Sequence, residues 1–221
     1  MVARILKDAE EEKLMRECNP LLSQIYALDG DREETRRVYG EWAEDYEQDT
    51  LEGMGYVAPE LVARELAELV EPEACVLDAG CGTGLAGAKL KDLGFEQIDG
   101  IDLSKRMLEV ARRKQAYATL AEADLMAPLD IPDNHYDAAI SVGVFTSGHV
   151  KPTALAELVR VTKPGAPLVV TVHENVWERE GYPQHLEKME EEGLPRVRAV
   201  KESPYHKNEG YFCQLCILEV R

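Results

Sequence analysis

The sequence predicts an α/β protein: a doubly wound, mostly parallel sheet of seven strands with an antiparallel closing strand and an N-terminal helical extension. Three observations carry this. Short apolar runs alternate with helical stretches of about 10 to 15 residues from position 74 onward, the signature of βαβ units joined by right-handed crossovers. The first run ends in an acid and a cluster of glycines, VLDAGCGTG at 76–84. Everything before Pro72 carries helical spacing instead.

A chain of 221 residues fills one α/β domain with a full core and is short for two. The expected division is a helical extension and lid over 1–70, followed by the domain over 71–221. Within the extension, Tyr39, Trp42 and Tyr46 fall at offsets of three and four in REETRRVYGEWAEDYEQ and so share one helical face. Gly53 and Gly55 then interrupt the chain. Leu61, Val62, Leu66, Leu69 and Val70 form the apolar stripe of a helix, with Pro59 suited to its first turn.

Beyond Pro72 the expected strands are the run at 74–79, Gln97–Ile101, Tyr117–Ala121, Ala138–Val142 and Leu168–His173, with helices over Lys105–Lys114 and Thr153–Thr162. A further helix around Gln184–Glu192 precedes two strands, Arg196–Glu202 and Tyr211–Val220. The turn SPYHKNEG between them predicts an antiparallel hairpin.

Composition narrows the partners. Lys and Arg number 25 against 42 Asp and Glu, a net charge of −17, which repels a phosphate backbone; no nucleic acid is expected. No apolar run approaches the roughly 20 residues needed to span a bilayer, and the first residues lack a secretory pattern, so the expectation is a cytoplasmic protein without a membrane. The five cysteines, Cys18, Cys75, Cys81, Cys213 and Cys216, are scattered and odd in number, unlike a disulfide framework. The CQLC pair at 213–216 sits in a strand, where an offset of three sends the side chains to opposite faces. No metal site is expected.

The chemistry concentrates at 76–84, where a strand runs into Gly80, Gly82 and Gly84 at the mouth of a helix. Glycine there permits unusual φ values and lets a ligand approach where a Cβ would collide. Gly82, Gly84 and Gly87 also fit the dinucleotide fingerprint, so an NAD-dependent oxidoreductase is the rival reading. Against it, the first fingerprint glycine comes four residues after Asp78, and a carboxylate at a strand end sits badly beside pyrophosphate. Asp102, at the end of the second strand, can accept from both ribose hydroxyls. Asp124, after the third, can accept from an adenine amino group while the Leu125 amide donates to the ring. Three acids at three successive strand ends suit a nucleoside carrying a cationic amino acid.

VLDAGCGTG, GIDLS with Met107, ADL, YDAAISVGVF and RVTKPGAPL, in that order over Ala74 to His173, resemble the successive motifs of class I, Rossmann-like S-adenosylmethionine-dependent methyltransferases. More narrowly, VYGEWAEDYEQD beside GTGLAG resembles the Williams-Beuren critical-region methyltransferase-like family. The resemblance implies S-adenosylmethionine as cofactor, S-adenosylhomocysteine as product and a small-molecule or protein side-chain acceptor. It implies that Asp78 and Gly80 hold the methionine end, with Ala79, Gly82, Thr83 and Gly84 in the same cradle. Asp102 grips the ribose, Leu103 and Met107 pack on adenine, and Asp124 and Leu125 read its edge. Ser141, Val142 and Gly143 face the sulfonium and acceptor, and Tyr39, Trp42 and Tyr46 form a lid. Each residue also has a plainer reading: Asp78 or Asp102 as a helix cap, Leu103 and Met107 as core, the aromatics as a packing face.

Methyl transfer needs a general base only for an acceptor protonated at neutral pH. His149, after the fourth strand, and His173, at the end of the fifth, are the candidates, ahead of His135, His185 and His206. SVGVF stands where nucleobase-methylating enzymes carry DPPY-like or NPPF-like motifs. A protein that binds the cofactor without turnover is the third reading.

Overall fold

The computed structural model describes residues 31–146 and 150–221. The chain before Asp31, including the early helical pattern and Cys18, lies outside the described residues, as does His149.

Seven strands form one sheet: β1 (Val76–Ala79), β2 (Ile98–Asp102), β3 (Thr119–Glu122), β4 (Ala138–Phe145), β5 (Pro167–His173), β6 (Pro195–His206) and β7 (Tyr211–Val220). Their order is β3-β2-β1-β4-β5-β7-β6. The first five run parallel, and β7 is antiparallel to both β5 and β6. The closing antiparallel strand therefore sits inside the sheet, while β6 takes the edge, where Arg196, Arg198 and Lys201 keep it solvated. Cys213 joins a cluster with Tyr56 and Tyr205, and Cys216 joins the opposite face with Leu77 and Val170, as the offset of three requires. All four described cysteines are free thiols.

Among the described residues seven α-helices flank the sheet: α1 (Arg32–Trp42), α2 (Ala58–Ala67), α3 (Leu85–Asp92), α4 (Lys105–Arg113), α5 (Leu155–Val161), α6 (Glu174–Trp177) and α7 (Tyr182–Glu191). Side chains alternate across each strand, which divides the core. Leu77, Ala79, Ala139, Leu168 and Val170 face α5 and α7 on one side. Val76, Ile98, Ile140 and Val169 face α2 and α3 on the other. No helix among the described residues is long and apolar enough to cross a membrane.

Several elements differ from the sequence expectation: β4 runs on to Phe145 and β6 to His206, which leaves only 207–210 for the hairpin turn. The 32–48 helix ends at Trp42, and a π-helical stretch, Gln48–Met54, follows until Gly55 adopts a left-handed conformation, φ 70°. The helical stripe at 61–70 stops at Ala67, so Val62 and Leu66 are buried but Leu69 is 43% exposed. Tyr117 is not in a strand: Gln115 takes φ 54° after α4, and the chain enters β3 only at Thr119. Leu158 is fully buried in the α5 layer. Leu158→Ala should lower stability by about 2–5 kcal/mol through transfer loss and a residual cavity, whereas Leu69→Ala should change it by less than about 0.5 kcal/mol; urea denaturation of both variants checks the contrast.

Candidate functional site

After β1 the chain crosses to β2, whereas β4 is followed on the other side by β5, so the carboxyl ends of β1 and β4 flank a crevice. A cavity of about 420 Å³ lies there. Gly80 leaves β1 with φ 77°, and its amide and that of Cys81 both donate to the Ile101 carbonyl at 2.8 and 2.9 Å. A Cβ on Gly80 would come within 2.2 Å of Val144, so any side chain there would push the β4 end away.

Asp78 is buried at the end of β1, and its Oδ2 accepts from the Tyr117 hydroxyl at 2.7 Å. Burial pushes the Asp78 carboxyl up to about 7; the Tyr117 bond opposes this, and nearby Asp102 adds to it. Tyr117 occupies the space that a Cβ on Gly87 would fill, at 2.3 Å from its ring and hydroxyl. The third fingerprint glycine thus seats a tyrosine that holds the acid. Asp102, ending β2, accepts from the Gly82 amide at 2.9 Å and the Ser104 amide at 2.8 Å. Burial raises its pKa while these amides pull it back. Asp124 follows β3; its Oδ1 accepts from the Met126 amide at 2.9 Å, and the Arg32 guanidinium of α1 reaches Oδ2. Thr83 lines the same cavity with its Oγ1 buried and unpartnered.

Twelve of the sequence-nominated residues border this one cavity: Tyr39, Tyr46, Asp78, Gly80, Gly82, Thr83, Asp102, Leu103, Met107, Asp124, Leu125 and Val142, with Gly143 beside them. Four do not border it. Trp42 is buried against Val38 and Met54, its indole donating to Asp49 at 2.7 Å, because the helix ends there and turns the ring inward. Ser141 is buried and donates to the Ala79 carbonyl at 2.8 Å, tying β4 to β1. Ala79 is in the core, and Gly84 packs against Tyr117 and Ala111 at the start of α3.

The far wall was not legible from spacing. A bulge interrupts β4 between Ser141 and Phe145, with Gly143 at φ 75° and its amide donating to Thr171 Oγ1 at 3.0 Å. The Tyr56 hydroxyl covers Gly143, where a Cβ would lie 2.3 Å from it, and Tyr56 is hydrogen-bonded to Tyr205. Burial holds both phenols, and Tyr46 beside them, above the usual tyrosine range. His173 sits behind this wall, buried between Tyr205 and Tyr211 at ring distances of 5.0 and 5.3 Å. Its Nδ1 accepts from the Asn175 amide at 3.2 Å, so the neutral ring carries its proton on Nε2. Burial pushes its pKa down to about 4. No histidine among the described residues lines the cavity.

A family model described as a methyltransferase domain matches residues 76–165. The TehB-like S-adenosylmethionine-dependent methyltransferase from Corynebacterium glutamicum shares the fold with TM-score 0.61 at 23% identity, covering 81% of this chain and 98% of that one. With the relative described next, these matches support a class I S-adenosylmethionine-dependent methyltransferase. Methyltransferase-like protein 27 of Homo sapiens is 36% identical over 163 residues, 71% of this chain and 66% of its own length. The chain thus spans just under two thirds of that relative and smaller shares of the next ones. The [4+2]-cyclase SpnF has the same fold, with TM-score 0.68 at 17% identity over 87% of this chain and 97% of its own.

Tyr117→Phe removes the one side-chain donor that favours ionised Asp78. The Asp78 titration midpoint should then rise above about 7, read by carboxyl carbon NMR; an unmoved midpoint would contradict the coupling.

Proposed function

We propose that the cavity binds S-adenosylmethionine and that the chain transfers its methyl group to an acceptor seated against Tyr46, Tyr56 and Gly143. The observation that carries this reading is the convergence of Asp78, Asp102 and Asp124, from the ends of three adjacent strands, on one cavity. The donor set fits that cofactor: buried carboxyls, the unpartnered Thr83 hydroxyl and apolar Leu103, Met107 and Leu125. Pyrophosphate would meet carboxyls there, which weighs against NAD.

In this reading Asp78 takes the ammonium group, with Gly80 and Gly82 presenting backbone. The Asp102 oxygens keep lone pairs free for the ribose hydroxyls beyond their two amide bonds. Leu103 and Met107 flank adenine, and Asp124 and Leu125 read its edge, Arg32 sharing the Asp124 carboxylate. Gly84 and Ala79 shape the cradle from behind, and Ser141 fixes β4 so that Val142 and Gly143 face the sulfonium. Residues 31–57, with Tyr39 and Tyr46, act as the lid, and Trp42 is its internal packing.

When bound, the cofactor supplies an activated methyl group. What the chain adds is alignment, which contributes up to roughly 7–11 kcal/mol. The phenols of Tyr46, Tyr56 and Tyr205 stay neutral at physiological pH, so they donate to and orient the acceptor without taking its proton. His173 is a spacer behind them. Among the described residues no histidine lines the cavity and its phenols stay protonated, which favours an acceptor, a small molecule or a protein side chain, that is already nucleophilic at neutral pH. Free thiols and the acidic surface accord with a cytoplasmic setting.

Because one fold hosts many chemistries, the cofactor is tested directly by calorimetric titration with S-adenosylmethionine, S-adenosylhomocysteine and NAD. The first two should bind and NAD should not; binding of NAD alone overturns the reading. Asp102→Ala should weaken S-adenosylmethionine binding by about 10-fold or more. Asp78 loses its proton as pH rises through about 7, and the ionised form attracts an ammonium. Affinity should accordingly strengthen from pH 6 to pH 8, and Asp78→Asn should abolish that dependence.

A further inference from the structure

At the opposite end of the sheet, polar side chains beside the starts of β1, β2 and β4 share one face. Leu77 of β1 pairs with Asp99 of β2, and Val76 with Ala138 of β4. By alternation, Cys75, Asp99 and Asp137 all leave the sheet on the side of Leu77 and Ala139. They form a row across its base, beneath the larger apolar cluster against which Cys75 packs. His135, in the loop that leads into β4, completes the group. Cys75 Sγ, an Asp99 carboxylate oxygen and an imidazole nitrogen of His135 lie within 4.8 Å of one another.

We propose that Cys75, Asp99 and His135 form a binding site for a divalent transition-metal ion of the zinc type, remote from the methyl-transfer cavity. A thiolate, an imidazole and a carboxylate are the ligand set of a borderline-soft ion, with water in the fourth position. Bonds of 2.0 to 2.3 Å place tetrahedral ligands roughly 3.3–3.8 Å apart. Closing from within 4.8 Å takes at most about 1–1.5 Å of side-chain movement, to which the exposed His135 contributes. Asp99 is already oriented: Thr119 Oγ1 donates to its Oδ1 at 2.6 Å and the Tyr136 hydroxyl to its Oδ2 at 3.2 Å. Such outer bonds steady a ligand and leave each oxygen a lone pair for the metal. Asp137 accepts from the Cys75 amide at 3.0 Å and pairs with Lys163 at 2.6 Å. Two carboxyls thus flank the thiol, with Lys163 the cation that opposes them. Binding converts the Cys75 thiol to thiolate and releases its proton to solvent.

The test is titration of untagged protein with Co²⁺, then Zn²⁺. One equivalent of Co²⁺ should give a near-ultraviolet thiolate charge-transfer band, Zn²⁺ should abolish it by displacement, and Zn²⁺ should raise Tm. Cys75→Ser should lose the band and His135→Ala should weaken binding by at least about 10-fold, both with unchanged circular dichroism. If Cys75→Ser fails to fold, the exposed His135→Ala decides alone. Absence of the band, or its full retention in either folded variant, overturns the site. Both outcomes are independent of S-adenosylmethionine binding.

Discussion

The hydrogen bond from Tyr117 to Asp78 sets the geometry from which the cavity is built. A carboxyl at the end of β1 is almost without water, and ionising it there is unfavourable unless a donor meets it. Tyr117 supplies that donor, and reaches it only because Gly87 has no Cβ. The same ring packs over Gly84 and Gly100, so α3 and β2 are held at one distance from β1 by one side chain. Asp102 then falls where the Gly82 and Ser104 amides can brace it. The glycines of this loop serve two ends: Gly80 turns the backbone, whereas Gly87 clears space for a neighbour.

The N-terminal segment is attached at both ends of the cavity by different forces. Near Asp124 it is held by ion pairs, Arg32 with Asp124 and Arg36 with Glu122, while Arg113 pairs with Glu44 at the other end of the helix. Such exposed pairs contribute little and weaken with salt. Near Gly143 it is held by backbone: the Val57 amide donates to Tyr205, Lys207 to Gly55 and Asn208 to Met54. The phenol wall is therefore the firm side and the Asp124 side the yielding one.

The fold was legible because the central strands β1, β4 and β5 are buried apolar runs and the chain alternates between strand and helix; β7 falls where the sequence puts it, at Tyr211–Val220. The glycine loop, Asp78 and Asp102 were legible because strand, turn and acid are contiguous. Tyr56 and Tyr205 carry no such signal, since the sheet order that joins them inserts β7 between β5 and β6. Trp42 shares the helical spacing of Tyr39 and Tyr46 but packs beneath them on Val38 and Met54, a difference that spacing alone does not show. Cys75, Asp99 and His135 have no motif spacing; only strand pairing aligns them.

The grip of the hairpin turn on residues 52–57 bears on the order of assembly. The Asn208 side chain bonds to the Glu52 carbonyl across 156 positions. On a ribosome residues 52–55 emerge about 150 residues before their anchor, so this cavity wall stays incomplete until the hairpin follows. The cradle around Asp78 needs only residues up to β4 and can gather sooner. Closing so long a loop adds little to the entropic penalty per doubling of length, but it slows folding. The zipping of the β6–β7 turn onto residues 52–57 then follows formation of the cradle and turns an open cleft into an enclosed chamber.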